Sequence, residues 1–349
     1  MCEGAPVTDA VELAQRLGAL LDAGRRVATY KLALLLALID TCAEAEEPVV
    51  EGQPHTVSIL ELADRVIDLY WPQARVYPAK GEVLRQNKGA TAVIVREVGR
   101  LRLLAPTPAQ VRARHASPYE KARRIVGHTL ATQPLPALQT PGSRSATKAV
   151  FLYDDSWLSD GMPVRELVAR DWQLELMPGV ADGLVRLSSL LRPVIESYWV
   201  ADVAAMNGLD REYQDLPRFL FGAERSSLVR AALALRELEG PVCFYCRRPI
   251  SGTAHVDHFI PWARVPFNGL ANLVLTDAGC NGDKSDALVG LGHVQRWHDR
   301  DTAGLVQLGQ QIDWPTELPR AQRIVRGTYD RLPAGTPLWE SKGVYLLSP

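Results

Sequence analysis

The sequence predicts a mostly α-helical chain with small β elements, in the α+β class. Long stretches repeat apolar residues at helical spacing behind helix-start signals, whereas strand-like runs such as AVFLY and WQLEL are short and flanked by turn-prone residues. The length of 349 residues exceeds one typical domain, so roughly two or three are expected. A hydrophobic content of 47% and a charged content of 23% suit a globular protein with its own core. We divide the chain into an N-terminal helical unit (1–105), a mainly helical middle domain with short strands (106–238) and a C-terminal domain with a helical tail (239–349).

In the first unit Thr29 precedes YKLALLLALIDTCAEAEE, a strong helix former that is apolar on all sides, the pattern of a helix buried at a domain centre. A second helix opens at Ser58, where Ser58 and Glu61 form a capping box, and Leu62, Val66, Leu69 and Tyr70 follow at helical spacing until Pro72. TAVIVREVGRLRLL reads as a helix followed by a strand or as a hairpin; the hairpin would make the unit winged-helix-like. The middle segment opens on a second capping box, Ser117-Pro118-Tyr119-Glu120, with Arg112, Arg114, Lys121, Arg123 and Arg124 clustered around it. TQPLPALQTPGSRSATK reads as a loop or linker between this helix and the two strand-like runs. A long helix is expected from Asp182 to Asn207, with Leu184, Leu187, Leu191, Ile195 and Trp199 near one face, and a further helix follows LFGAERSS and leads to Gly240.

The formal net charge is -1, so no global field attracts nucleic acid, and any such surface must come from local clusters of Lys and Arg. Besides the 112–124 cluster, Arg247 and Arg248 are available for this; solvated helix faces or loops are the plain alternative. The cysteines, Cys2, Cys42, Cys243, Cys246 and Cys280, are odd in number and have no regular framework, which argues against a disulfide scaffold. Three fall in one segment, as in a metal site within a reducing compartment. The N-terminus lacks the apolar core of a signal peptide. The longest apolar run, Leu32 to Ile39, falls far short of the about 20 residues that span a bilayer. The reading is a cytoplasmic protein with no membrane partner.

The chemistry concentrates in CFYCRRPISGTAHVDHFIPWARVPFNGLANLVLTDAGCNGDKSD, from Cys243 to Asp286. Cys243 and Cys246 have the C-x-x-C spacing that meets one Zn²⁺ from a single turn, and Cys280 closes a loop around it. Asp277, three before Cys280, is the first choice for fourth ligand, with His255 or His293 behind it. Asp257 and His258 are neighbours in a strand-like stretch, so they point apart unless the strand is twisted or bulged. Such a pair can bind a hard cation through the carboxylate and address a water through the imidazole. Taken alone it is an ordinary surface dipeptide. Asn281 opens an expected helix over NGDKSDALVGL, where its side chain could join Asp257 on a metal or simply cap the helix; Asn272 alone reads as a turn residue. Lys284 falls in that helix's first turn, poorly placed for the dipole and well placed for a phosphate.

The ordered set DHFIP, NLVLT and CNGDKSD, led by Cys243 and Cys246, resembles the HNH endonucleases, also called ββα-metal or His-Me finger nucleases, in their zinc-knuckle subgroup. It is also similar to the HNH domain of RNA-guided DNA nucleases. The resemblance implies a C-terminal ββα-metal finger on a helical N-terminal scaffold. It implies that His258 is the general base, that Asp257 and Asn281 hold Mg²⁺ or Mn²⁺, that Asn272 orients His258 through its backbone or side chain, and that Cys243, Cys246 and Cys280 bind structural Zn²⁺. Lys284 or Arg264 would neutralise a non-bridging phosphate oxygen. Asp277 departs from the Cys or His of many members. LPRFLFGAERSSL, VQRWHDR and TYKLALLLALIDTC resemble bacterial HNH proteins of larger architecture, which often accompany defence or mobile-element genes. The expected function is metal-dependent hydrolysis of phosphodiester bonds in nucleic acid, double-stranded DNA first, with a homodimer or a regulatory partner protein compatible. The alternatives are a zinc-stabilised DNA-binding module without catalysis, and a sensor whose N-terminal unit controls the nuclease.

Overall fold

The computed structural model describes residues 9–23, 27–89, 92–140, 150–209, 215–222 and 228–349. Mostly helical with small two-stranded sheets, it is α+β, and it divides into two compact units, Met1–Gly222 and Ala223–Pro349. The expected linker falls partly, and the LFGAERSS stretch largely, outside the described residues, as do the first eight positions.

In the first unit, α1 (Ala10–Ala23) precedes α2 (Tyr30–Ala43), which is buried nearly throughout from Tyr30 to Cys42, as an all-round apolar helix requires. Strand β1 (His55–Ser58) leads into α3 (Ile59–Tyr70), where the Ser58 hydroxyl accepts from the Leu60 amide at 3.2 Å, so this N-cap forms. TAVIVREVGRLRLL resolves into one helix, α4 (Val93–Arg102), without a following strand or hairpin. Helix α5 (Ala116–Thr132) starts before Ser117, so the second capping box does not operate; Glu120 pairs instead with Arg123 and Arg124. WQLEL supplies β2 (Gln173–Leu176). Its neighbour is β1 rather than AVFLY, which contributes only an isolated bridge from Tyr153 to Leu176. The long expected helix breaks at Leu187 into α6 (Val180–Arg186) and α7 (Ser188–Met206).

The boundary expected at 105 does not divide this unit. Strand β1, before it, pairs antiparallel with β2, after it, with Val57 opposite Leu174, and one hydrophobic cluster runs from Leu13 to Leu220. A strand of four residues cannot bury itself, so its partner and its core had to come from beyond the linker. The basic cluster also changes meaning. Arg112 pairs with Asp68 at 2.6 Å and Arg123 with Asp64 at 3.0 Å, both carboxylates lying on α3. These two guanidinium groups fasten α3 to the 108–132 region rather than standing ready for phosphate.

In the second unit, α8 (Leu228–Glu239) packs on an antiparallel pair, β3 (His255–His258) and β4 (Leu273–Thr276). Then come α9 (Ala278–Lys284), α10 (Leu291–His298), α11 (Thr302–Gln311) and α12 (Leu318–Tyr329). A C-terminal hairpin, β5 (Pro337–Ser341) and β6 (Val344–Leu347), closes the unit. The β3-β4-α9 succession is the expected ββα order. The hairpin is fastened to α9 by Asp283, whose carboxylate accepts from Trp339 Nε1 at 2.8 Å and the Gly343 amide at 2.9 Å. Among the described residues no helix is long and apolar enough to cross a membrane.

Candidate nuclease site

The C-x-x-C turn is built by its own backbone. The Arg247 amide donates to the Cys243 carbonyl and the Cys243 amide to the Arg248 carbonyl, both at 3.0 Å, with Arg247 at φ 62° to close the bend. The Phe244 amide donates to Leu275 of β4 at 2.8 Å, which docks the turn beside the start of α9. There Asp277 is the N-cap, its Oδ1 accepting from the Cys280 amide at 2.9 Å, while the Cys246 thiol donates to its Oδ2 at 3.4 Å. One ligand atom from each of Cys243, Cys246, Asp277 and Cys280 lies within 4.8 Å of the others. The set fits zinc: three sulfurs and a carboxylate oxygen converge, in the number and type a tetrahedral site takes. Burial, then the Asp277 carboxylate, pushes the Cys280 thiol well above its ordinary range, which is the electrostatic strain a divalent cation relieves. His293 is engaged elsewhere, at 2.8 Å from the Glu340 carbonyl through Nε2 and 2.9 Å from Arg296 through Nδ1, and His255 is not in the group.

Asp257 and His258 are adjacent on β3, opposite Val274 and Leu273 of β4. The strand's alternation sends them to different surroundings. His258 is 9% exposed, its Nε2–H donating to Asn268 Oδ1 at 2.7 Å, with the Trp262 ring centroid 5.3 Å away. Burial lowers its pKa below the ordinary histidine value, Asn268 and the Asp257 charge opposing, so the ring is neutral at pH 7. Asp257 takes the Tyr245 hydroxyl at 2.6 Å and Lys284 Nζ at 2.9 Å, both on Oδ2. Burial and the Asp257 charge push the Tyr245 hydroxyl pKa well up, so it stays a donor. Oδ1 of Asp257 carries no hydrogen bond from the described residues, and α9, bearing Asn281, packs against β3. A carboxylate with one oxygen unengaged and a facing amide-bearing helix suit a hard divalent cation such as Mg²⁺ or Mn²⁺.

Two sequence expectations change here, for Asn281 and for Lys284. Asn281 does not open its helix; Asp277 does, and Asn281 is the fourth helical residue, half-buried. Lys284 is in the last turn rather than the first, where a cation suits the helix dipole, and its side chain is fully buried. With Nζ donating to the His258 carbonyl at 3.1 Å and paired with Asp257, it is enclosed rather than poised over a phosphate. Asn272 does not touch the imidazole. Its amide side chain spans Ile260, accepting from its N–H at 2.8 Å and donating to its carbonyl at 3.1 Å, and so holds the chain just after His258. The ring's partner is Asn268, whose own carbonyl accepts from Trp314 Nε1 at 2.8 Å. Neither Asn268, in the irregular P-F-N-G stretch, nor Tyr245, inside the C-x-x-C, carries a local signal of its role.

Comparison with known families is consistent with this geometry. Residues 10–216 match the model described as a domain of unknown function (DUF8808), and residues 243–289 match the model described as HNH endonuclease. No curated protein and no solved structure matches the chain.

Proposed function

Because the chain belongs to the family of the domain of unknown function (DUF8808) and carries an HNH endonuclease domain, we propose that it is a metal-dependent endonuclease that hydrolyses phosphodiester bonds in double-stranded DNA. One observation above all supports this reading. A neutral, buried imidazole and a carboxylate with a free oxygen sit on consecutive strand residues, beneath the helix that carries Asn281.

Asn268 holds the proton on Nε2 of His258, which leaves the lone pair on Nδ1 for the attacking water. Nδ1 takes the water proton as the water oxygen bonds to phosphorus and the bond to the 3′ oxygen breaks; the departing 3′ oxygen takes a proton from solvent, giving a 5′ phosphate and a 3′ hydroxyl. The imidazolium that results is stabilised by the same Asn268 acceptor. Asn272 keeps the backbone behind His258 in place. Asp257 and Asn281 would hold Mg²⁺ or Mn²⁺, which supplies charge stabilisation at the phosphate and the leaving oxygen. Lys284 keeps the Asp257 carboxylate turned; Arg264, half-exposed in the loop after β3, is the better-placed cation for a non-bridging oxygen. Zn²⁺ on Cys243, Cys246, Asp277 and Cys280 would join the turn to α9 and contribute folding free energy. One such site cuts one strand, so a double-strand break needs two visits or two copies.

The test is nicking of supercoiled plasmid in Mg²⁺. His258→Ala should lower the rate by ~10²-fold or more, as loss of a general base does, while the protein stays folded and keeps its metal content. Asp257→Ala should lose activity in a way that raised Mg²⁺ partly restores. Full activity in His258→Ala would end the assignment.

A further inference from the structure

We propose that Tyr245 is a positioning residue for the Asp257 carboxylate, so that the cysteine turn forms part of the divalent-cation site. The inference rests on the nuclease reading above and deepens it. Tyr245 lies between Cys243 and Cys246, is buried, and donates its hydroxyl to Asp257 Oδ2 at 2.6 Å. The ring cannot swing, because Phe244, His293 and Trp339 meet it edge-on with centroids at 5.2, 5.4 and 5.2 Å. Lys284 Nζ reaches the same oxygen at 2.9 Å and stands 5.9 Å from the Tyr245 ring centroid. Two donors therefore grip Oδ2, and Oδ1 is the oxygen left for a cation.

The two donors come from the two elements that the cysteine group ties together. Tyr245 sits on the turn between Cys243 and Cys246; Lys284 sits on α9, rooted at Asp277 and Cys280. Zinc on those four residues would set the distance between turn and helix, and with it the grip on Asp257. Nothing else among the described contacts of Asp257 orients its carboxylate. Tyr245→Phe keeps the ring and its packing and removes the hydroxyl alone.

The experiment measures Mn²⁺ binding to the full chain, without nucleic acid, from the electron paramagnetic resonance signal of free Mn²⁺. Wild type, Tyr245→Phe and Asp257→Ala are compared, with zinc by elemental analysis and thermal melting on each. The expected result is that Tyr245→Phe melts as a folded protein, keeps wild-type zinc and binds Mn²⁺ about 10–100-fold more weakly, the usual loss when a ligand's hydrogen-bond partner is removed. Its nicking rate should climb back toward wild type as Mn²⁺ is raised. Unchanged Mn²⁺ affinity in Tyr245→Phe, where Asp257→Ala has lost it, overturns the inference and leaves the nuclease reading standing. Loss of zinc from Tyr245→Phe also overturns it, because the hydroxyl would then be supporting the turn. Wild-type Mn²⁺ affinity in Asp257→Ala removes the cation assignment beneath both.

Discussion

Replacing Asn268 by Leu should separate the base from its support. His258 is 9% exposed, and its Nε2–H has Asn268 Oδ1 at 2.7 Å as partner, so water cannot easily take over when the acceptor is removed. An unsatisfied buried donor costs about 1–3 kcal/mol. The bond strengthens as the ring takes up a proton, since an ionised donor binds roughly twice as strongly as a neutral one, so the loss falls mainly on the transition state. At 1.36 kcal/mol per tenfold, the rate should drop about 5–150-fold. The assay is single-turnover nicking at saturating Mg²⁺, and the drop should appear in the rate with little change in substrate affinity. Asn268→Asp keeps an acceptor and should recover most of the activity. Cleavage by Asn268→Leu within about twofold of wild type, alongside an inactive His258→Ala, would refute the reasoning that the ring is held through Nε2.

Other perturbations address the frame around the site. Cys243→Ser should remove zinc and destabilise the 223–349 unit, because structural zinc binding is itself folding free energy; well-folded wild-type protein without zinc by elemental analysis would refute the site. Ser285, directly after Lys284, sits at φ 46° and ψ -124°, a region glycine enters freely and serine does not, so Ser285→Gly should stabilise by ~1 kcal/mol net of glycine's greater unfolded-state entropy. Thermal unfolding reads this as a rise in melting temperature, and a fall would show that the serine side chain matters more than the strain. Burial lowers the His258 pKa, against the opposing Asn268 and Asp257 contributions, so the active neutral base should persist somewhat below the ordinary value near ~6.5. The folded pKa lies below the unfolded one, so the unfolded chain takes the proton first as pH falls. Stability should therefore decline across the window beneath ~6.5, and denaturant midpoints of wild type and His258→Ala measured across it should diverge.

The helices of the first unit were largely legible because their signals are local. Leu32 to Ile39 is apolar on every face, and the Ser58 hydroxyl caps its helix through an amide just two residues on. The ββα order and the cluster of Cys243, Cys246, Asp277 and Cys280 were legible for a related reason: C-x-x-C spacing and D-H followed by N-x-x-K-S-D bring ligand types into one short segment. Local signals misled where two of them competed. Asn281 and Asp277 can both cap a helix, and the chain uses Asp277, whose Oδ1 meets the Cys280 amide; this moves Lys284 from the first turn to the last and into burial beside Asp257. Ser117 lost its cap because α5 begins one residue earlier, and Glu120 found arginines instead.

Chain-distant pairing was decided by the tertiary structure alone. Strand β1 waits for β2 more than a hundred residues later, and no periodicity within either four-residue run can name its partner, because strand pairing is set by which edges the packed helices leave open. The same holds for the side chains that finish the site. From the sequence alone came the candidate base, carboxylate and cysteines, named by residue type, by spacing and by the resemblance to HNH endonucleases. That Asn268 rather than Asn272 meets the imidazole, that Trp314 holds Asn268, and that a tyrosine within the cysteine turn grips Asp257 depend on loops brought together by the core of the second unit. Hydrogen bonds of this kind are fixed by distance and direction to a few tenths of an ångström, and those are properties of the packed fold that residue order does not carry.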